Sequence, residues 1–132
     1  MIAMDVTVDT RSPVPHYEQI RSQISRLVLT GGLPEGTRLP SIRLLASQLG
    51  ISNGAVARAY RELEQEGTVV TAGKRGTTVS GRHLDAEVSR RDRDQLLAEA
   101  AAAYGATAHA LGFTVEQAVT GLKNTMYAGE SS

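Results

Sequence analysis

Apolar residues recur at steps of three and four through most of this chain, and that pattern predicts a mostly helical protein. The first ten residues instead alternate, with Ile2, Met4, Val6 and Val8 apolar, which reads as either a short strand or a loose arm. Pro13 and Pro15 end that stretch, and Pro15 suits the first position of a helix, where no N–H is needed. Tyr17, Ile20, Ile24, Leu27 and Val28 then mark one buried helical face, and Gly31-Gly32 stops it. After a Pro- and Gly-punctuated loop, LPEGTRLP at 33–40, Ser41 reads as the N-cap of a short helix to Leu49, with Leu44, Leu45 and Leu49 turned inward. Gly50 occupies a tight turn. Ser52 is the next N-cap, with Ile51 before it and Val56 four residues after it, the spacing of a hydrophobic staple. The helix it starts runs to about Glu66 and buries Val56, Ala59, Tyr60 and Leu63.

Gly67 closes that helix, and the pattern then changes period. Thr68 to Ala72 and Thr77 to Ser80 are β-branched runs separated by Gly73-Lys74-Arg75-Gly76, which predicts a β-hairpin with a basic tip. The remainder is alanine-rich and helical. Leu84, Val88, Leu96, Leu97, Ala100, Tyr104 and Leu111 form an imperfect stripe, interrupted by SRRDRDQ at 89–95, so one long helix and two shorter pieces both fit. Gly112 is a stop; Thr114 with Gln117 makes a capping box; Val115, Ala118, Val119, Leu122 and Met126 give a final stripe. The expected architecture is mostly α with a small β-hairpin, divided into residues 1–82 and a helical region 83–132.

Composition narrows the class. With one Phe, four Tyr and no Trp among 132 residues, the core must rest on aliphatic side chains, which suits packed helices. The absence of cysteine excludes disulfides, thiolate metal sites and thiol nucleophiles. No run of 18 apolar residues exists and the start lacks a signal-peptide layout, so a soluble cytoplasmic protein without membrane association is expected. Net charge is zero, yet residues 1–82 hold ten Lys/Arg and seven Asp/Glu (+3) whereas residues 83–132 hold four and seven (−3). The basic excess thus falls on the half that carries the short helices and the hairpin.

Catalytic chemistry finds no support. His16, His83 and His109 have no second ligand at helical spacing, so no metal or cofactor is expected. Gly73 to Gly76 lacks the spacing of a phosphate-binding loop. Asp92 and Asp94 read as charges on a solvated helix face rather than an acid/base pair. The informative unit is residues 41–66. Two helices meet at Gly50, with small Ala46 at the closest approach and Leu45, Leu49, Ile51 and Val56 as shared core, which is the pattern of a helix-turn-helix. That geometry presents the N-terminal half of the second helix to a major groove, leaving Asn53, Gly54, Ala57, Arg58 and Arg61 outward. A hairpin directly after such a helix reads as a wing, whose Lys74-Arg75 tip would reach phosphates or the minor groove, although by itself a basic tip fits a plain solvated turn better.

Residues 14–80, with VPHYEQIRSQI, LPEGTRLPSIRLLASQLGIS and VARAYRELEQEG in order and then a Gly-containing wing, resemble the DNA-binding domain of GntR-type transcription regulators. The short helical tail resembles that of the YtrA-like branch, in which two C-terminal helices dimerise. The resemblance implies that Arg43 contacts DNA from the first helix of the motif. It also implies that Ser52, Asn53, Gly54 and Arg58 face the groove, and that Lys74, Arg75, Gly76 and Thr77 form the wing contact. The chain departs from the common pattern at Asn53, Ala55 and Ala57, where many members carry Arg, Thr and Arg, and at Thr78, where an aromatic is common. No operator sequence carries over as a result. The expected function is a repressor that binds a pseudo-palindromic operator in double-stranded DNA as a homodimer, paired through Leu97, Tyr104, Leu111, Val115, Val119 and Leu122. A small-molecule effector has little room within one protomer, and a cavity between paired helices, which Tyr104 or Tyr127 could line, stays open as its place. The alternative is a winged helix used for protein contacts, against which the outward Arg43, Arg58, Lys74 and Arg75 argue.

Overall fold

A computed structural model describes residues 5–80 and 87–130 of the chain. Eight elements follow in order: α1 (His16–Leu29), α2 (Ile42–Leu49), α3 (Asn53–Gln65), β1 (Val69–Thr71), a 3-10 turn (Gly73–Arg75), β2 (Thr77–Val79), α4 (Glu87–Ala110) and α5 (Val115–Glu130). They fall into two units, residues 1–94 and 95–132. The division expected at 82/83, like His83 and Leu84, lies outside the described residues.

The first unit holds the hydrophobic core. Ile20, Ile24 and Val28 of α1 meet Val56, Ala59 and Leu63 of α3, all at 3% exposure or less, and Leu33, Leu39, Leu45, Val69 and Val79 close the sides. Around Val6 the chain is an arm rather than a strand. Val6 is buried, and side chains of α1 supply the partners that a neighbouring strand would have given. The Thr7 N–H donates to Gln23 Oε1 (3.0 Å) and Gln23 Nε2 donates back to the Thr7 carbonyl (2.7 Å). Gln19 makes the same reciprocal pair with Asp9, at 2.8 and 3.0 Å.

Both caps of the two-helix motif form as the spacing predicts. Ser41 Oγ accepts from Leu44 N and Ser52 Oγ from Ala55 N, each at 3.1 Å. Between them Gly50 takes φ +68°, a left-handed conformation that residues with a Cβ rarely adopt. Tyr60 anchors α3 from its other side; its buried hydroxyl, whose pKa burial raises, donates to the Pro40 carbonyl at 2.8 Å. Leu44 is a correction: it is 45% exposed, because an eight-residue helix buries only a narrow strip, and that strip is Leu45 and Ala46 flanked by half-buried Ile42 and Leu49.

The wing pairs Val69 with Val79, Val70 with Thr78 and Thr71 with Thr77 in antiparallel register. Its tip is longer than a two-residue turn, and the loop before α2 adds an unforeseen third edge, with Arg38 bridged to Thr78.

Asp92 is the second correction. It is 7% exposed, not solvated, and faces α1 at the end of the first unit. Ser25 Oγ donates to Asp92 Oδ2 at 2.8 Å, and Arg21 Nη1 lies 3.5 Å from the same oxygen. Arg21, itself buried, also binds Glu18 Oε1 through Nε at 2.7 Å and Glu66 Oε1 through Nη1 at 3.1 Å. The hydrogen bonds that Arg21 donates to Glu18, together with the surrounding carboxylates, raise the Arg21 pKa and hold the guanidinium charged, against the opposing effect of burial. At Glu66, burial outweighs the pull of Arg21 and pushes the carboxyl above its ordinary range. The cluster thus joins α1, the end of α3 and the first turns of α4.

The second unit is a helical hairpin. From residue 87 to 110, α4 is one uninterrupted helix, so the SRRDRDQ stretch does not break it. Gly112 turns the chain at φ +82°, and Thr114 and Gln117 form the expected capping box, with N-to-side-chain bonds of 2.9 and 3.1 Å in both directions. No described residue is buried between 95 and 130. Among the described residues, no helix is long and apolar enough to cross a membrane, and no group of three His, Asp or Glu side chains is placed to hold a metal ion.

Candidate nucleic-acid interface

The candidate site is assembled by the two capped helix starts and the wing of the first unit. Arg43 is exposed in the first turn of α2. Ser52, Asn53 and Gly54 are exposed at the start of α3, where the first backbone N–H groups have no helical acceptor and the helix dipole is positive. A Cβ at Gly54 would meet nothing nearer than Ser52 Oγ at 3.9 Å, so the surface there is open to close approach. Burial of Val56, Ala59, Tyr60 and Leu63 fixes which face of α3 points inward, and Gly54, Arg58 and Arg61 occupy the opposite one.

Arg58 is exposed but not loose. Its Cζ lies 3.7 Å from the centroid of the Tyr17 ring on α1, and its Nε donates to Glu62 Oε2 at 3.0 Å, one turn on. Helical spacing marks Tyr17 as a core position of α1; its half-buried ring also serves as a platform for an α3 side chain.

Lys74 and Arg75 are exposed on the 3-10 turn at the wing tip. Gly76 and Thr77 are half-buried behind them, Gly76 at φ +68° and Thr77 with its hydroxyl 3.1 Å from that of Thr71. The wing residues singled out from sequence therefore divide into two outward cations and two residues that shape the turn. Sequence reasoning missed Arg38, whose guanidinium rests against Gly76. Nothing local marked it, because Pro34 and Pro40 bracket the segment and its pairing partner is β2, far along the chain.

In the second unit the residues read as dimerisation contacts are uncovered. Leu97, Tyr104, Leu111, Val115, Val119 and Leu122 are all exposed, Val115 by 75%. Tyr104 crosses from α4 to α5, its hydroxyl donating to the Ala118 carbonyl at 2.8 Å, and Gly121 leaves the space it needs. Beside it, Ala108, Phe113, Val115, Val119 and Leu122 line an open apolar cavity of about 260 Å³.

Comparison with known proteins agrees with this geometry. The family model "Bacterial regulatory proteins, gntR family" matches residues 16–79, from the start of α1 to the end of the wing. The HTH-type transcriptional regulator Rv1152 of Mycobacterium tuberculosis is 43% identical over 113 residues, covering 85% of this chain and 86% of its own. The HTH-type transcriptional repressor YtrA of Bacillus subtilis is 43% identical over 75 residues, 57% of this chain and 58% of its own. Among solved structures, YtrA from Sulfolobus acidocaldarius, a GntR-family transcription factor, is 36% identical with a TM-score of 0.55, covering 74% of this chain and 97% of that one. Two capped helices around Gly50, the basic wing behind them and a relative matching over most of both lengths lead to one conclusion: this chain belongs to the gntR family of bacterial regulatory proteins, as a winged helix-turn-helix transcription regulator.

Proposed function

We propose that the protein is a repressor that acts in the cytoplasm as a homodimer, with one α3 for each half of a pseudo-palindromic operator. Arg43, Ser52, Asn53, Gly54 and Arg58 would meet the major groove, while Lys74, Arg75, Gly76 and Thr77 bring the wing against the backbone or minor groove. Repression is supported by the similarity to the Bacillus subtilis relative, a transcriptional repressor. The observation that carries dimerisation is the uncovered apolar face of the α4–α5 hairpin, in a chain whose first unit already has a closed core. Covering side chains such as Val119 and Leu122 contributes ~1.5–3 kcal/mol each before ordering costs, enough for several of them to hold two copies together. Light scattering at micromolar concentration should give twice the chain mass of 14.0 kDa. A gel-shift titration on genomic fragments should then select discrete sites with two-fold symmetry. A monomer, or binding indifferent to sequence, would overturn the proposal and favour a protein-contact role for the winged helix.

A further inference from the structure

Residues 36–39 run along the outer edge of β2. The Leu39 N–H donates to the Thr77 carbonyl and the Val79 N–H to the Thr37 carbonyl, both at 2.8 Å, and Arg38 bridges to Thr78 between these two bonds. Directly opposed residues of an antiparallel pair project to the same face. Thr78 is in turn opposite Val70, so Arg38, Thr78 and exposed Val70 share the outer face of the wing, while Leu39, Val79 and Val69 are buried on the inner one.

The Arg38 side chain then lies along the wing. A Cβ on Gly76 would stand 3.4 Å from Arg38 Nε and Nη2 and 3.8 Å from Cζ, so the plane of the guanidinium rests against bare glycine backbone. Gly76 thus has a second reason to lack a side chain, besides its φ of +68°. Arg21 and Arg58 are neutralised by carboxylates, whereas the Arg38 side chain has no hydrogen bond or ion pair among the described residues. It is an exposed cation, placed by backbone pairing and seated beside the turn that carries Lys74 and Arg75.

We propose that Arg38 is a further DNA contact, directed to phosphodiester oxygens, and that the edge segment and the wing tip form one cationic surface with Gly76 as its platform. The inference rests on the DNA-binding reading above. A guanidinium held flat at a fixed place offers its planar fork of donors to a phosphate with little freedom left to lose. Because phosphates carry no sequence information, the contact should strengthen binding to every duplex alike.

The test uses the full chain and two duplexes of equal length, one carrying a site selected from random sequence by the wild-type protein and one of scrambled sequence. Each is titrated across a series of potassium chloride concentrations. Arg38→Gln should weaken both complexes by a similar factor and reduce the slope of log affinity against log salt by ~0.9 per protomer. Arg38→Lys, which keeps the charge, should restore most of that slope. Both variants should melt with the wild type, since the side chain is exposed. An unchanged slope in Arg38→Gln overturns the proposal, as does a loss confined to the selected site, which would make Arg38 a base-reading residue. Should Arg38→Gln lower the melting temperature, the lysine variant decides: a native melt without recovery of the slope shows that charge is not the cause. Failure of the wild type to bind either duplex would overturn the functional reading itself, an outcome distinct from wild-type binding with an indifferent Arg38.

Discussion

In the proposed complex with DNA, Arg58 would enter already held by contacts within the free protein. An arginine carries ~2 kcal/mol of rotamer freedom that a rigid complex removes. Here the Tyr17 ring covers one face and Glu62 holds Nε, so much of that freedom is already gone, and the proposed reading would leave the terminal amino groups for a guanine edge. Arg58→Ala should therefore cost ~1–3 kcal/mol on the selected operator and much less on scrambled DNA. Tyr17→Phe should match the wild type, because the ring is what stacks, whereas Tyr17→Ala should lose part of the same discrimination. In an Arg58→Ala background Tyr17→Ala should change nothing further. Parallel titrations of the four variants and the wild type check this, and equal losses on both duplexes would assign Arg58 to the backbone.

Among the elements, the junction of α1, α3 and α4 depends on the buried Arg21 cluster. Replacing Arg21 by Met keeps most of the volume but leaves Glu66 and Asp92 buried without a counter-ion, and breaking such a cluster typically costs ~3–5 kcal/mol. Urea unfolding of Arg21→Met should show a loss of that order. Glu66 adds a pH dependence whose sign is set by its raised pKa. A carboxyl that holds its proton more tightly in the folded state contributes stability below its unfolded pKa, and that contribution is lost as pH rises through the folded one. Glu66→Gln stays neutral throughout, so the melting temperature of the variant relative to wild type should climb as pH rises from the acid side of the carboxylate range toward neutrality. A flat or falling difference would mean that the pull of Arg21 outweighs burial at this carboxyl.

At the scale of the whole molecule, the core and the uncovered apolar face belong to different units. Among the described residues, every buried hydrophobic one lies between Val6 and Val79, so the first unit has what it needs to fold alone. The place to cut is decided by Asp92. A chain ending at Asp94 keeps the acceptor for Ser25 and a counter-ion for Arg21, whereas one ending at Gly81 loses both and should melt lower. The chain of 1–94 should be monomeric and should scarcely distinguish a full operator from a single half-site. The full chain should favour the full operator by ~10²–10⁴, the gain expected when a second binding event becomes intramolecular. Titration of both proteins against both duplexes measures it. Equal affinity of the short chain for the full operator would remove the tail from DNA binding altogether.

Local chemistry made much of this legible in the sequence. Ser41, Gly50, Ser52, Thr114 and Gly112 act within a few residues of themselves, and the face of α3 follows from helical spacing alone. The family was likewise readable from the order of motifs between residues 14 and 80. What sequence could not show depends on partners distant along the chain. Asp92 sits in a stretch with the charge of a solvated surface, and only Ser25, 67 positions earlier, and buried Arg21 make it an interior residue. Leu44 has the character of a core residue, yet the narrow strip that a short helix buries leaves it outside. Arg38 reads as an ordinary loop cation until pairing with β2 lays it on the wing, and Arg58 as a free one until the Tyr17 ring closes over it. Caps, turns and periodicity are properties of neighbours and were set before folding. Burial of charge and the aim of long side chains are properties of packing, so only the tertiary structure decided them.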